Sequence, residues 1–210
     1  GRFHAIKSEV RTINVNPSVA YKVNDQLSIG AGLSYQRLDA ELTSAIAYST
    51  IIAAGSSNAI LIPGLEGTSK VEGDDTGWGY NLGAIFQLSP STRLGAAYRS
   101  KVKYNVTGDV TFNRPVSGSA TANAIMAGAT PNGPIKLDIE LPDVATFSVH
   151  QKLSDQWEMM GDVSWTGWAK IPRLSIFRTN GTLLSNTEEN WRNTVRVAFG
   201  GAYKYSDALK

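Results

Sequence analysis

The sequence predicts an all-β chain, an antiparallel transmembrane β-barrel, on three observations. Apolar and polar residues alternate with period 2 over stretches much longer than the ~5 to 6 residues of a mean strand. The connections between these stretches are alternately short and long, as the two rims of an outer-membrane barrel are. No run of about 18 apolar residues offers a transmembrane helix. A soluble sandwich would also alternate, but it has no reason to sort its loops by length.

The elements follow in order. Ile13, Val15, Val19, Tyr21 and Val23 share one face of the first strand, and Asn24 to Gln26 make a short turn. Leu27, Ile29, Ala31, Leu33 and Tyr35 form the apolar face of the second. Trp78, Tyr80, Leu82, Ala84, Phe86 and Leu88 mark the third, whose other face is small and mostly polar. The fourth carries Leu94, Ala96, Tyr98, Val102, Tyr104 and Val106, and the fifth Ile135, Leu137, Ile139, Ala145, Phe147 and Val149. Trp157, Met159, Val163 and Trp165 belong to the sixth, and Val195, Val197, Phe199 and Tyr203 to the seventh.

Short turns at Ser89 to Thr92 and Ser154 to Gln156 face long extracellular loops at about 43–75, 114–134 and 177–190. Asn180-Gly181 reads as a tight turn at the tip of the last loop. Aromatics near the strand ends supply both interfacial girdles, Trp78 and Tyr80 at one rim and Phe86, Trp157, Tyr203 and Tyr205 at the other. Seven strands is an odd number, and an open edge in hydrocarbon would leave backbone groups unsatisfied. The expectation is therefore a partial barrel over 1–210, an internal stretch of a larger wall.

Composition narrows the function classes. The 210 residues carry 18% charged residues and a net charge of +2, so no global field draws nucleic acid, and no nucleic-acid partner is expected. The absence of cysteine excludes a disulfide scaffold, a thiolate metal site and a cysteine nucleophile. His4 and His150 are the only histidines, and Ser148 beside His150 has no orienting acid or oxyanion motif, so no enzyme activity is expected. No spacing suggests a metal site, and no glycine motif suggests a nucleotide. No cofactor is expected.

Two features point to a ligand. After Tyr35 the second strand reverses its polarity: Arg37, Asp39 and Glu41 take the formerly apolar face, while Leu38, Ala40 and Leu42 turn toward the lumen. Either a greasy luminal pocket begins here, or the strand has left the bilayer or carries a bulge that swaps its faces. The following loop then holds Ile46, Ile51, Ile52, Ile60, Leu61 and Ile62 in a segment expected to face water, where an apolar patch marks a binding surface. The spacing of Ala47, Ile51 and Ala54 also fits a short helix packed on a neighbouring loop. A basic stripe, Arg99, Lys101, Lys103 and Asn105, is expected on the lumen side of the fourth strand. It could attract a carboxylate, though neutralisation by Asp138, Glu140 or Asp162 is favoured.

The blocks NPSVAYKVNDQLSIGAGLSYQRLDAEL from Asn16, GWGYNLGAIFQLSPSTRLGAAYRSKVKYNVTG from Gly77, LDIELPDVATFSVHQKLSDQWEMMGDVSWTGW from Leu137 and WRNTVRVAFGGAYKY from Trp191 occur in this order. Together they closely resemble the FadL/TodX family of outer-membrane transporters for long-chain fatty acids and other hydrophobic compounds. The resemblance implies a 14-stranded barrel with an N-terminal hatch, a greasy extracellular capture loop, a tighter pocket, and a side exit where a strand kinks. It implies localisation in the bacterial outer membrane and contact with lipid bilayer and lipopolysaccharide. Leu42 and Val71 fall where pocket-lining residues are expected. Fatty-acid members carry an arginine shortly after the Leu42 position, where Ser44 stands here, so fatty acid and neutral hydrocarbon both remain open as ligands.

The expected function is a monomeric channel for passive uptake, driven by burial of apolar ligand area at ~25 cal/mol per Å². Leu38, Leu42, Ile46, Ile60, Leu61, Ile62 and Val71 are the ligand-contact candidates, with Arg99 and Lys103 as weaker luminal ones. The alternative is a general porin or a structural, adhesion-type barrel.

Overall fold

The computed structural model describes residues 1–56, 63–171 and 173–205. They form one antiparallel sheet of seven staves that curves without closing. The first stave is β1 (Lys7–Val15) with β2 (Ser18–Lys22), the second β3 (Leu27–Ala47) and the third β4 (Glu66–Ser89). The fourth is β5 (Thr92–Arg99) with β6 (Val102–Asn113), and the fifth β7 (Gly133–Leu141) with β8 (Val144–Lys152). The sixth is β9 (Trp157–Thr166) with β10 (Arg173–Arg178), and the seventh β11 (Leu183–Glu188) with β12 (Thr194–Tyr203). Helices α1 (Tyr48–Gly55) and α2 (Ala120–Ala129) lie in the first two long connections. Among the described residues no helix is long and apolar enough to cross a membrane.

The short turns are built by side chains that accept backbone N–H groups, which lets the chain reverse in two or three residues. Asn24 Oδ1 accepts from the N–H groups of Gln26 and Leu27 at 2.9 and 2.8 Å. Ser89 Oγ accepts from Ser91 and Thr92, and Ser154 Oγ from Gln156 and Trp157. Below the girdle the outward faces of the staves are apolar and exposed, including Val19, Leu33, Leu82, Val197 and Phe199. This is the face a barrel turns to lipid.

The long strands continue well past that apolar band. At about 3.3 Å per residue, the 21 residues of β3 run about 70 Å, far beyond the ~30 Å hydrocarbon core even when tilted. The first long connection is accordingly shorter than 43–75: residues 43–47 and 66–75 are strand, paired without a register shift from Leu27↔Phe86 to Ala47↔Glu66. The segment expected as a loop at 177–190 is largely the β10–β11 hairpin. Its turn is the expected one: Gly181 has φ 88°, which favours glycine, and Arg178 N–H donates to Thr182 C=O at 2.8 Å. In these upper strands the apolar residues point inward, so a search for an outward apolar face passes over them.

A seam crosses the sheet at the height of the girdle. The first stave breaks at residues 16–17, the fourth at 100–101, the fifth at 142–143, the sixth at 167–172 and the seventh at 189–193. Among the described residues only β3 and β4 run through it. Below the seam lies the lipid-facing wall and above it an upper wall of inverted polarity.

Candidate functional site

The upper wall is built around β3. Tyr35 is the last outward aromatic, its ring 4.9 Å from that of Trp78 across the strand pair. Immediately above it, Arg37, Asp39 and Glu41 continue on the outward face. They join Lys7, Glu9 and Arg11 of β1 and Lys70, Glu72 and Asp74 of β4 in a charged belt. Its contacts include Lys7 with Glu9 at 2.8 Å and with Glu41 at 3.1 Å, Arg37 with Asp39 at 3.1 Å, and Lys70 with Glu72 at 2.6 Å. These contacts hold the Glu9 carboxyl below its ordinary range, chiefly through the hydrogen bond from Lys7, and hold the Lys7 ammonium above its own. The belt is solvated, and each pair contributes little by itself.

The inward face above the seam is apolar. Leu38 is 1% exposed and packs in one cluster with Tyr104, Val106 and Val110 of β6, Ile135 and Leu137 of β7 and Ile176 of β10. Ala40, Leu42, Val71 and Ile139 pack against it. Leu42 and Val71 are direct partners across β3 and β4. The polarity reversal after Tyr35 is thus chemical and not geometric: the backbone keeps its alternation, with no bulge, and the residue types exchange faces.

Gly73 and Gly108 let the third and fourth staves approach closely here. A Cβ on Gly108 would meet the Glu72 carbonyl oxygen and the Cα of Gly73. The polar end of the chamber is toward the seam, where Tyr104 O–H donates to Gln36 Oε1 at 2.6 Å and Asp75 Oδ2 accepts from Asn105 N–H at 2.6 Å. Ser44 pairs with Ser69, Oγ to Oγ at 2.8 Å, so the position where a cation was considered is neutral.

A lid of two helices sits beyond the strands. Tyr48 and Ile52 of α1 are fully buried against Ala122 and Met126 of α2, flanked by Ile46, Ile51 and Leu65. Tyr48 Oη lies 3.0 Å from Thr130 Oγ1, and Thr130 O–H also reaches the Met126 carbonyl at 2.8 Å. Gly55 leaves room for Ile125, which a Cβ would strike. Of the two readings of the greasy loop, its helix packs on the neighbouring loop. Ile60, Leu61 and Ile62 lie outside the described residues.

The basic stripe does not form. Arg99 remains on the inner face below the seam, opposite Asn81. At Ser100 and Lys101 the fourth stave slips: Ser100 N–H donates to Tyr80 C=O at 2.9 Å and Ser100 Oγ accepts from Tyr80 N–H at 2.8 Å. Pairing with the third stave changes from Asn81↔Arg99 to Asp74↔Thr107, a bulge of one residue. One residue of slip reverses every later side chain. Val102 and Tyr104 therefore turn inward, and Lys103 stands on the outer face opposite Glu140. Lys101 and Lys103 both reach that carboxylate, at 3.2 and 3.8 Å. The structure thus gathers Leu38, Leu42 and Val71 in the chamber, places Ile46 under the lid, and separates Arg99 and Lys103 from both.

Sequence reasoning missed the clamp at the seam. Asp143, with its side chain 10% exposed, accepts from Lys170 Nζ at 2.8 Å and from Tyr98 O–H at 3.1 Å. Its carbonyl accepts from Gly167 N–H at 3.1 Å. A charged residue right after Pro142, between two apolar runs, was the available signal.

The model of a family of outer membrane protein transport proteins (OMPP1/FadL/TodX) matches residues 1–210. A long-chain fatty acid transport protein of Escherichia coli O6:H1 is 28% identical over 95% of this chain and 47% of its own length. Outer membrane protein P1 of Haemophilus influenzae is 27% identical, over 97% of this chain and 46% of its length. The crystal structure of a Pseudomonas aeruginosa FadL homologue superposes with a TM-score of 0.84 at 25% identity, covering 99% of this chain and 49% of that one. The Ralstonia pickettii toluene transporter TbuX shares the fold, with a TM-score of 0.69 at 21% identity, covering 95% of this chain and 53% of that one. The chain spans about half the length of these relatives.

Proposed function

Because the chain belongs to the outer membrane protein transport protein family (OMPP1/FadL/TodX), we propose that it supplies part of the wall and the upper ligand chamber of a channel for passive uptake of hydrophobic compounds. The relatives named above are outer-membrane transport proteins, and the chain is a length of outer-membrane barrel wall. The observation that carries the proposal is the polarity inversion above Tyr35, which puts Leu38 inside and Arg37 and Asp39 outside at the level where the strands leave the bilayer. A general porin would line this stretch of lumen with charge. An adhesion barrel would have no use for an apolar interior above the membrane.

In this reading Leu38, Leu42 and Val71 contact the ligand, Ile46 and the α1–α2 lid cap the chamber, and transfer of apolar area out of water supplies the driving force at ~25 cal/mol per Å². The charged belt faces lipopolysaccharide, and one chain acts as one channel. The ligand is a long-chain fatty acid or a neutral hydrocarbon.

The test uses the full-length protein, with labelled oleate and labelled toluene as probes. Leu42→Asp places a charge in the apolar chamber and should weaken the bound probe by more than about tenfold. Glu41→Gln, one residue away on the outer face, should leave it unchanged. Undiminished binding of both probes by Leu42→Asp would sink the site.

A further inference from the structure

We propose a lateral port through the wall between the fifth and sixth staves, which takes the carboxylate of a long-chain monocarboxylic acid at its rim while the alkyl chain points into the apolar chamber. The inference rests on the channel reading above. Between Val144↔Thr166 and Leu137↔Ile176 the fifth stave advances seven residues while the sixth advances ten. The surplus is taken up by the 3₁₀ turn Trp168–Lys170. Beyond the Gly167 to Asp143 bond, no ladder pair joins 138–142 to 168–175 among the described residues. Unpaired backbone in a membrane barrel is tolerated where it lines a cavity. The wall opens here without a kinked strand, unlike the side exit that the family resemblance implies.

The opening is a cavity of about 310 Å³ lined by residues of both faces. Lys103, Asp138 and Glu140 approach it from the outer face, and Tyr104 and Ile139 from the chamber side. Lys170, Ile171 and Arg173 close it from the sixth stave. Its lower lip is the buried Asp143 clamp, which ties the fourth, fifth and sixth staves at the level of the girdle residue Tyr98. The cations at the rim are unequally committed. Lys103 shares Glu140 with Lys101, and Lys170 is held by Asp143. Arg173 forms no ion pair or hydrogen bond among the described residues, which leaves a planar, bidentate donor at the mouth. Asp138 is the opposing charge there. A head group at Arg173 with a chain running past Ile139 and Ile171 matches an acid with a long apolar tail.

The experiment uses the full-length protein in lipid vesicles, with oleate carrying a photoreactive diazirine in its chain, and folding checked for each variant by heat-modifiable gel migration. Labelling is expected in the peptides that hold Ile139 and Ile171, falling about fivefold in Arg173→Gln and rising in Asp138→Asn, because the head is held by charge. Ile171→Trp, which fills the opening, should cut oleate uptake while toluene binding is unchanged. Label around Leu42 but absent from 135–142 and 168–176 would overturn the port and leave the channel reading standing. Label in none of these segments would overturn the channel reading itself. Labelling equal in Arg173→Gln and the parent would overturn the assignment of the head-group site.

Discussion

Leu38→Ala in the full-length protein tests the inverted upper wall most directly. Leu38 is 1% exposed and sits against Tyr104, Val106, Leu137 and Ile176, on strands that a sheet holds at fixed spacing. Removing three carbons forfeits about 2.4 kcal/mol at ~0.8 kcal/mol per buried carbon. Because paired strands cannot collapse into the space, the residual cavity should raise the loss to about 3 to 5 kcal/mol. Asp39→Ala changes the next residue on the opposite face, where the carboxylate is solvated and paired with Arg37, and should cost less than about 1 kcal/mol. The assay is equilibrium unfolding in urea from lipid vesicles, with folded protein counted by its gel mobility. The distinctive result is the contrast between neighbours. Equal losses for the two variants, or a loss under about 1 kcal/mol for Leu38→Ala, would refute the packed inner face.

Three further outcomes follow from the same geometry. Gly108→Val should force the third and fourth staves apart, because its Cβ meets the Glu72 carbonyl; overpacking of this kind costs about 1 to 3 kcal/mol, read as a lower urea midpoint, and an unchanged midpoint would contradict the close approach. Tyr48→Phe removes the contact to Thr130 Oγ1 while Thr130 keeps its bond to Met126, so the lid should loosen by about 1 kcal/mol, seen as faster hydrogen exchange in α2 with the barrel midpoint unmoved. Glu9, with its pKa lowered by Lys7, contributes stability that is present above its unfolded pKa and lost as pH falls through the lower folded one. The acid fall in midpoint should therefore be shallower in Glu9→Gln; the same fall in both proteins would show that this carboxylate adds nothing.

The family resemblance and the seven staves were legible because their signals are local. Alternation can be read one strand at a time, the turns announce themselves through Asn24, Ser89 and Ser154, and the aromatic level is marked by Tyr35 and Trp78. The exchange of polarity after Tyr35 was legible too, since Leu38 and Asp39 are neighbours in sequence and must face opposite ways on any strand. Its extent was not, because β1, the upper part of β4, β10 and β11 carry their apolar residues inward and resemble loops when judged by an outward apolar face.

What only the tertiary structure decided is where the phase slips and what packs on what. Lys103 belongs to the outer face because the fourth stave gains a residue at Ser100 and Lys101 against its neighbour, and a slip of one residue inverts all that follows. Nothing in the local pattern of Arg99, Lys101 and Lys103 reports that slip, since it exists only as a relation between paired strands. The α1–α2 lid and the opening beside Arg173 are relations of the same kind, set by contacts and surplus length between segments far apart in the chain. The sequence by itself determined the barrel strands, their lipid-facing girdle and the apolar residues of the chamber, because each is a property of neighbours along the chain. Pairing across the sheet decided which charges stand inside, which stand outside, and where the wall is open.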